Sequence, residues 1–269
     1  MITTPLKIQP LSNDAPVGFS HVFHKQASVF GIQVYASANT SDNKALHAAN
    51  VLAQYLDNDE DGLPDNPAIV AQMRRNRAAI IMFATERDRE EIDLETYIPA
   101  HVLNGMSLQD LYGDETHPNG AVEGKFDAAL EEILHLITSA GYAGVYPDIF
   151  GEKPNTNVAK AMDIARGGHF RRVPRAYPES AWFTNYDRTC DYGCQITEYI
   201  YWALTSILGA QSYCGRKEEI DDEWSLHTLE LVRNRDSRIY TLLTNRDYNF
   251  PTRLPDGKYR KRFKWHGSN

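Results

Sequence analysis

Nothing in the 269 residues is apolar for long enough to cross a bilayer. Roughly 18 consecutive apolar residues are needed, and no run approaches that. The opening "MITTPLKIQPLSNDAPVGFS" lacks the apolar centre of a secretory signal. The expectation is therefore a cytoplasmic chain or a mature secreted form. Basic charge is also scarce: 28 Lys and Arg stand against 36 Asp and Glu, for a formal charge of -8. Nucleic acid demands basic surface, so no such partner is expected. The one basic cluster, the tail "GKYRKRFKWHGSN", reads as solvated. Cysteine is limited to Cys190, Cys194 and Cys214, too few for a disulfide scaffold. The pair in "CDYGC" can bridge locally, or Cys214 can pair with either; the CxxxC spacing is not a standard zinc knuckle. No Gly-rich phosphate loop, GxSxG elbow or internal repeat occurs.

What is present is an ordinary globular composition, 42% hydrophobic and 24% charged. That suffices for one domain or two tightly packed lobes. A boundary near residue 120 would separate a strand and helix lobe (1–120) from a mainly helical one (121–269), although no linker composition marks it. Residues 28–37, "SVFGIQVYAS", predict a strand, and "AAIIMFAT" (78–85) a buried one. Between them, "SDNKALHAANVLAQYL" predicts a helix capped by Ser41 or Asp42, and "PAIVAQMRRNR" a second with Pro67 in its first turn. "ERDREEIDLETYI" reads as an exposed helix, and residues 101–124 as loop. Helices are expected at 125–140, closed by Gly141, at 157–166, at 195–211, and once or twice after 222. Strands fall early and helices dominate the second half, which predicts an α+β protein.

Two stretches carry chemistry. The first, "DNDEDGLPD", sets Asp57, Asp59 and Asp61 at alternate positions, then Gly62, Leu63 and Asp65. Calcium takes six to eight oxygens, and carboxylates so spaced in a tight loop converge on one point. Leu63 would offer its carbonyl and Asp65 a direct or water-mediated oxygen. The pattern resembles the calcium loops of EF-hands and thrombospondin-type repeats, and helices on both sides favour the former. The bidentate glutamate that an EF-hand places twelfth is here Ala68. With one loop and no partner, the Ca2+ reads as structural rather than as a sensor switch; the bland alternative is an acidic, solvated turn.

The second stretch, "KFDAALEEILHLITSAG", groups Glu131, Glu132 and His135. Helical spacing puts Asp127, Glu131, His135 and Thr138 on one face and Phe126, Leu130, Ile133 and Ile137 roughly opposite. Downstream, Glu198 is a lone carboxylate in the apolar "QITEYIYWALTSILG", and burying it demands a cation, a metal or several donors. His169 after paired glycines and His117 on a loop are weaker candidates for the same site. His47 reads as a satisfied surface histidine, and Glu223 and His227 repeat the Glu–His spacing without the doubled glutamate.

"EEILH" resembles the HExxH helix of zincins, with Glu131 in place of the first histidine, and is closest to the gluzincin pattern, in which a glutamate on a later helix is the third ligand. The resemblance implies an active-site helix beneath a small sheet, Zn2+ (or Mn2+ or Fe2+) held by Glu131, His135 and Glu198, and Glu132 as general base. Tyr199 or Tyr201 would stabilise the developing oxyanion. The expected activity is a metal-dependent hydrolase of peptide or amide bonds, acting on a peptide or small molecule. The alternatives are a non-catalytic calcium-binding protein whose "EEILH" is only a polar face, and a non-hydrolytic His/carboxylate metal enzyme such as a non-haem iron protein.

Overall fold

A computed structural model describes residues 6–261. Strands β1 (Gln9–Pro10), β2 (Phe23–Val29) and β3 (Ile32–Ser37) precede helices α1 (Asp42–Leu56) and α2 (Pro67–Arg75). Strand β4 (Ala79–Phe83), short helices α3 (Glu86–Glu90), α4 (Leu94–Tyr97) and α5 (Ala100–Leu103), and strand β5 (Leu108–Tyr112) follow. The remaining elements are helices: α6 (Gly120–Glu123), α7 (Ala129–Ile137), α8 (Ala143–Val145), α9 (Asn157–Ala165), α10 (Tyr192–Leu208), α11 (Arg216–Ile220), α12 (Leu229–Arg235) and α13 (Ser237–Thr244). The chain is thus α+β, with a five-stranded sheet in the order β1-β2-β3-β4-β5.

The strand expected over 28–37 is a hairpin. Phe30 (φ 49°) and Gly31 (φ 85°) both take the left-handed conformation, and the chain reverses between β2 and β3. Strand β4 is buried along its whole length between two parallel neighbours, as its unbroken apolar run suggests. Its residues alternate between two cores. Ile80 and Met82 face the large one, beneath α1, α2 and α7; Ala79, Ile81 and Phe83 face a smaller one closed by Phe19, Leu94, Ile98 and Val102. Leu94 and Ile98 account for the departure of 86–98 from one exposed helix: they break it into α3 and α4 and turn apolar side chains under the sheet. The large core draws side chains from Ala27 to Phe250 and does not divide at residue 120.

Strand β5 lies inside the stretch expected to be loop. "LQDLY" has little β character of its own; pairing with β4 makes it a strand. Gln109 pairs with Ile80 and shares its face, so it points toward α7.

Helix α7 starts later than its sequence suggests. Asp127 lies before it, buried, and accepts hydrogen bonds from the backbone of His117 (3.0 Å) and Ala129 (3.3 Å). Its other oxygen sits 2.6 Å from His47 Nε2. His47 is therefore a buried partner rather than a surface histidine, and Asp127 fixes the helix entry instead of joining the polar stripe. Nor does Gly141 end the helix. The chain widens into a π-helical turn over 138–142 and continues into α8. A Cβ on Gly141 would lie 2.7 Å from Ile69 Cγ2, so glycine serves the close approach of α2. No helix among the described residues is long and apolar enough to cross a membrane; the apolar α10 is a core helix.

Candidate metal centre

Helix α7 brings Glu131, Glu132 and His135 against α10, which contributes Glu198. One ligand atom from each of Glu131, His135 and Glu198 lies within 4.8 Å of the other two. His135 Nε2 stands 3.6 Å from Glu198 Oε2, and Nδ1 stands 3.5 Å from Glu132 Oε2. Ligands at ordinary zinc distances on tetrahedral corners are separated by about 3.3 Å, which the 3.6 Å between His135 Nε2 and Glu198 Oε2 approaches. His135 Nε2 is buried and has no hydrogen-bond partner. Its nearest acidic neighbour is the Glu198 carboxylate, just beyond hydrogen-bond reach, so burial of this atom is offset by charge rather than by a hydrogen bond.

The site opens on a cavity of about 400 Å³ lined by Gln109, Glu132, His135, Ser139, Glu152, Cys194, Thr197 and Glu198. Gln109 Nε2 donates to Glu132 Oε2 at 2.6 Å, and Thr197 Oγ1 donates to Glu152 Oε1 at 3.0 Å. Sequence reasoning missed Gln109, Ser139, Glu152, Thr197 and the cavity role of Cys194. Gln109 was hidden in a segment without strand character, and Glu152 in a loop with no pattern.

Electrostatics follow from burial. Burial pushes the Glu131 carboxyl up to about 8; His135 opposes this, Glu198 and Glu132 add to it, and a hydrogen bond from Tyr201 lowers it. Burial by itself lowers His135, but Glu198, Glu132 and Glu131 surround it with negative charge and hold it well above its ordinary value. Both shifts favour the protonated forms of His135 and Glu131.

The two tyrosines are turned to other work. Tyr199 donates its hydroxyl to Asp236 at 2.5 Å and packs between Phe183 and Trp224. It is a core residue on another side of α10. The Tyr201 hydroxyl hydrogen-bonds Glu131 and accepts from Gln211 (3.3 Å), while its ring meets His135 edge-on at 5.4 Å. It buttresses a candidate ligand and is not among the cavity-lining residues. His169 pairs with Asp163 at 2.7 Å, after a helix stop at Gly167 (φ 72°). Glu223 and His227 do not lie on a helix. Cys190 and Cys194 form a disulfide that clips the first turn of α10, and Cys214 is free and exposed.

The acidic loop joins α1 to α2. Oxygens of Asp57, Asp59 and Asp61 lie within 4.8 Å of one another, while Asp65 is outside that group and accepts from Asn58 N at 2.7 Å. Asp57 accepts from the backbone of Asp61 (3.0 Å) and Gly62 (2.8 Å) and from the Tyr259 hydroxyl. Gly62 (φ 93°) makes the turn, and the Leu63 side chain is exposed. Burial pushes Asp57 up to about 6, against its hydrogen bonds from Tyr259, Gly62 and Asp61. The tail expected to be solvated contributes here: Tyr259 reaches Asp57, and Arg260 pairs with Glu60 and Asp256. Its remainder, 262–269, lies outside the described residues.

No protein-family model matches the chain, and no curated protein or solved structure is significantly similar to it.

Proposed function

We propose that the chain is a metal-dependent hydrolase of peptide or amide bonds, with Glu131, His135 and Glu198 as ligands to Zn2+, Mn2+ or Fe2+. The observation that carries this is the convergence of Glu131, His135 and Glu198 beside an open cavity, with the buried His135 Nε2 making no hydrogen bond. The packing of α7 beneath the sheet and the supply of Glu198 by the later α10 support the gluzincin resemblance. A divalent cation there supplies a Lewis acid and makes water more acidic at neutral pH. Glu132, facing the cavity and oriented by Gln109, takes a proton from water as general base. Glu152, Thr197 and Ser139 offer polar contacts to a substrate. Two carboxylates and one imidazole suit Mn2+ or Fe2+ as well as Zn2+, which favours a non-hydrolytic His/carboxylate enzyme as the second reading. At the acidic loop, Asp57, Asp59 and Asp61, with Asp65 and the Leu63 carbonyl nearby, are proposed to bind a structural Ca2+.

Elemental analysis of wild type beside His135→Ala and Asp59→Ala tests the assignment. About one transition-metal ion per chain is expected in wild type and in Asp59→Ala, and none in His135→Ala. Glu132→Gln should retain the ion and lose hydrolysis of a peptide library by about 10²–10⁴-fold. A His135→Ala protein with wild-type metal content sinks the reading. Redox turnover without hydrolysis transfers it to the second class.

A further inference from the structure

The cavity beside His135 has a feature that the hydrolase reading does not use. Cys194 lines its wall, one helical turn before Glu198 on α10. The sulfurs of Cys190 and Cys194 and a carboxylate oxygen of Glu198 all lie within 4.8 Å of one another. The two cysteines are joined in a disulfide, and so joined they are poor ligands: the thiolate is the metal-binding form.

The frame that holds the sulfurs does not depend on the bond between them. The Cys190 backbone N donates to the Asp187 carbonyl at 3.2 Å, and its own carbonyl accepts from Gln195 Nε2 at 3.0 Å. Gln195 is fully buried and is gripped in turn by the guanidinium of buried Arg166. The Cys194 backbone N donates to the Asp191 cap at 2.9 Å. These backbone hydrogen bonds do not involve the sulfurs, so breaking the S–S bond removes none of them. Glu132 and Glu152 on the cavity wall add negative charge that draws a cation in.

We propose that the dithiol form of Cys190 and Cys194, together with Glu198, is a second metal site, selective for a thiophilic divalent cation such as Zn2+ or Cd2+. Two sulfur ligands and one carboxylate make a softer donor set than Glu131, His135 and Glu198, so the dithiol site favours Cd2+ and Zn2+ over the Mn2+ and Fe2+ that the first site also suits, while the two share Glu198. The chemistry balances with a dithiol reductant. Its two thiols reduce the protein disulfide to two cysteine thiols and become a disulfide themselves. The cation then displaces the two cysteine protons, which pass to buffer. The site exists only where the compartment is reducing enough to open the bridge. It goes beyond the hydrolase assignment and does not require His135.

The test titrates full-length protein with Cd2+ under argon, in a Cys214→Ser background that removes the exposed free thiol. Thiolate-to-metal charge-transfer absorption reports sulfur ligation, and far-ultraviolet circular dichroism monitors the fold. The reduced protein should develop the absorption to an end point of about one ion per chain, and the oxidised protein should show none. The band should vanish when Cys190→Ser and Cys194→Ser are combined. Glu198→Gln should weaken the affinity by about tenfold or more, a scale that even outer-shell partners reach. Reduced His135→Ala should keep the band while oxidised His135→Ala loses the transition metal, so failure of one site is separable from failure of the other. Absence of the band in folded reduced protein overturns the proposal. So does a band that Glu198→Gln leaves unchanged, which also covers binding by thiols of an unfolded chain.

Discussion

Protons and metal must compete at the α7–α10 centre, and the competition has a calculable size. The perturbation is pH. Burial pushes Glu131 up to about 8, so at pH 7 its protonated form is favoured. His135 is held well above its ordinary value despite burial, because Glu198, Glu132 and Glu131 surround it, so it too is protonated at pH 7. Ligation requires Glu131 as carboxylate and His135 as neutral imidazole. Uptake of one divalent ion at pH 7 must therefore expel about two protons. By linkage, the dissociation constant should rise about 100-fold between pH 7 and pH 6. An exposed histidine with its ordinary pKa near 6.5, beside carboxylates already ionised, would release about a quarter of a proton at pH 7 and lose only about threefold in affinity. Calorimetric titration of Zn2+ or Mn2+ in buffers of different ionisation enthalpy counts the protons, and repeating it at pH 6 gives the affinity change. Release of fewer than about one proton at pH 7 would refute the reasoning, because Glu131 and His135 could not then both be ligands protonated in the free protein.

Other consequences are testable separately. Asp57, raised to about 6 by burial, is uncharged below its unfolded pKa near 4 and ionises at a cost as pH rises through about 6. The Ca2+-free protein should thus lose melting temperature between pH 5 and pH 7, and added Ca2+ should raise it more at pH 7.5 than at pH 5; an equal increment at both refutes Asp57 as a ligand. Tyr199→Phe removes the donor to buried Asp236 and should cost about 1–3 kcal/mol in denaturant unfolding, leaving metal content unchanged. Tyr201→Phe removes the hydroxyl that supports Glu131, so calorimetry should show weakened metal binding, by about 10–100-fold. Gly141→Ala gains about 1 kcal/mol of helix propensity but drives a methyl to 2.7 Å from Ile69 Cγ2, an overpacking cost of about 1–3 kcal/mol. Net destabilisation is expected in chemical denaturation, and a more stable variant would show that α2 yields freely.

Much of the framework was legible because it rests on local rules. Helix α1 begins and ends where its cap and apolar spacing place it, and α2 begins at Pro67. β4 is the buried strand its apolar run announces. Glu198 stood out because a carboxylate on an apolar helix must be answered by something. Its grouping with Glu131 and His135 follows from spacing once two helices are known to touch, but that contact is a property of the packed core. Where local signals misled, a tertiary contact had supplied the missing partner. β5 is a strand because β4 lies beside it, and Gly141 meets α2 rather than closing a helix. Asp127 fixes the entry to α7 from outside because buried His47 and the His117 backbone hold it there. The disulfide is the clearest case: three cysteines left the pairing open, and the approach of Cys190 to Cys194 at the start of α10 decided it. The sequence by itself determined the residue chemistry, the α+β class and the positions of the main helices, since these depend on periodicity, caps and turns within one segment. Only the tertiary structure decided which tyrosine backs the centre, that Gln109 and Glu152 face it, and that Cys194 shares its cavity, because those relations join residues far apart in the chain and exist only when the core forms.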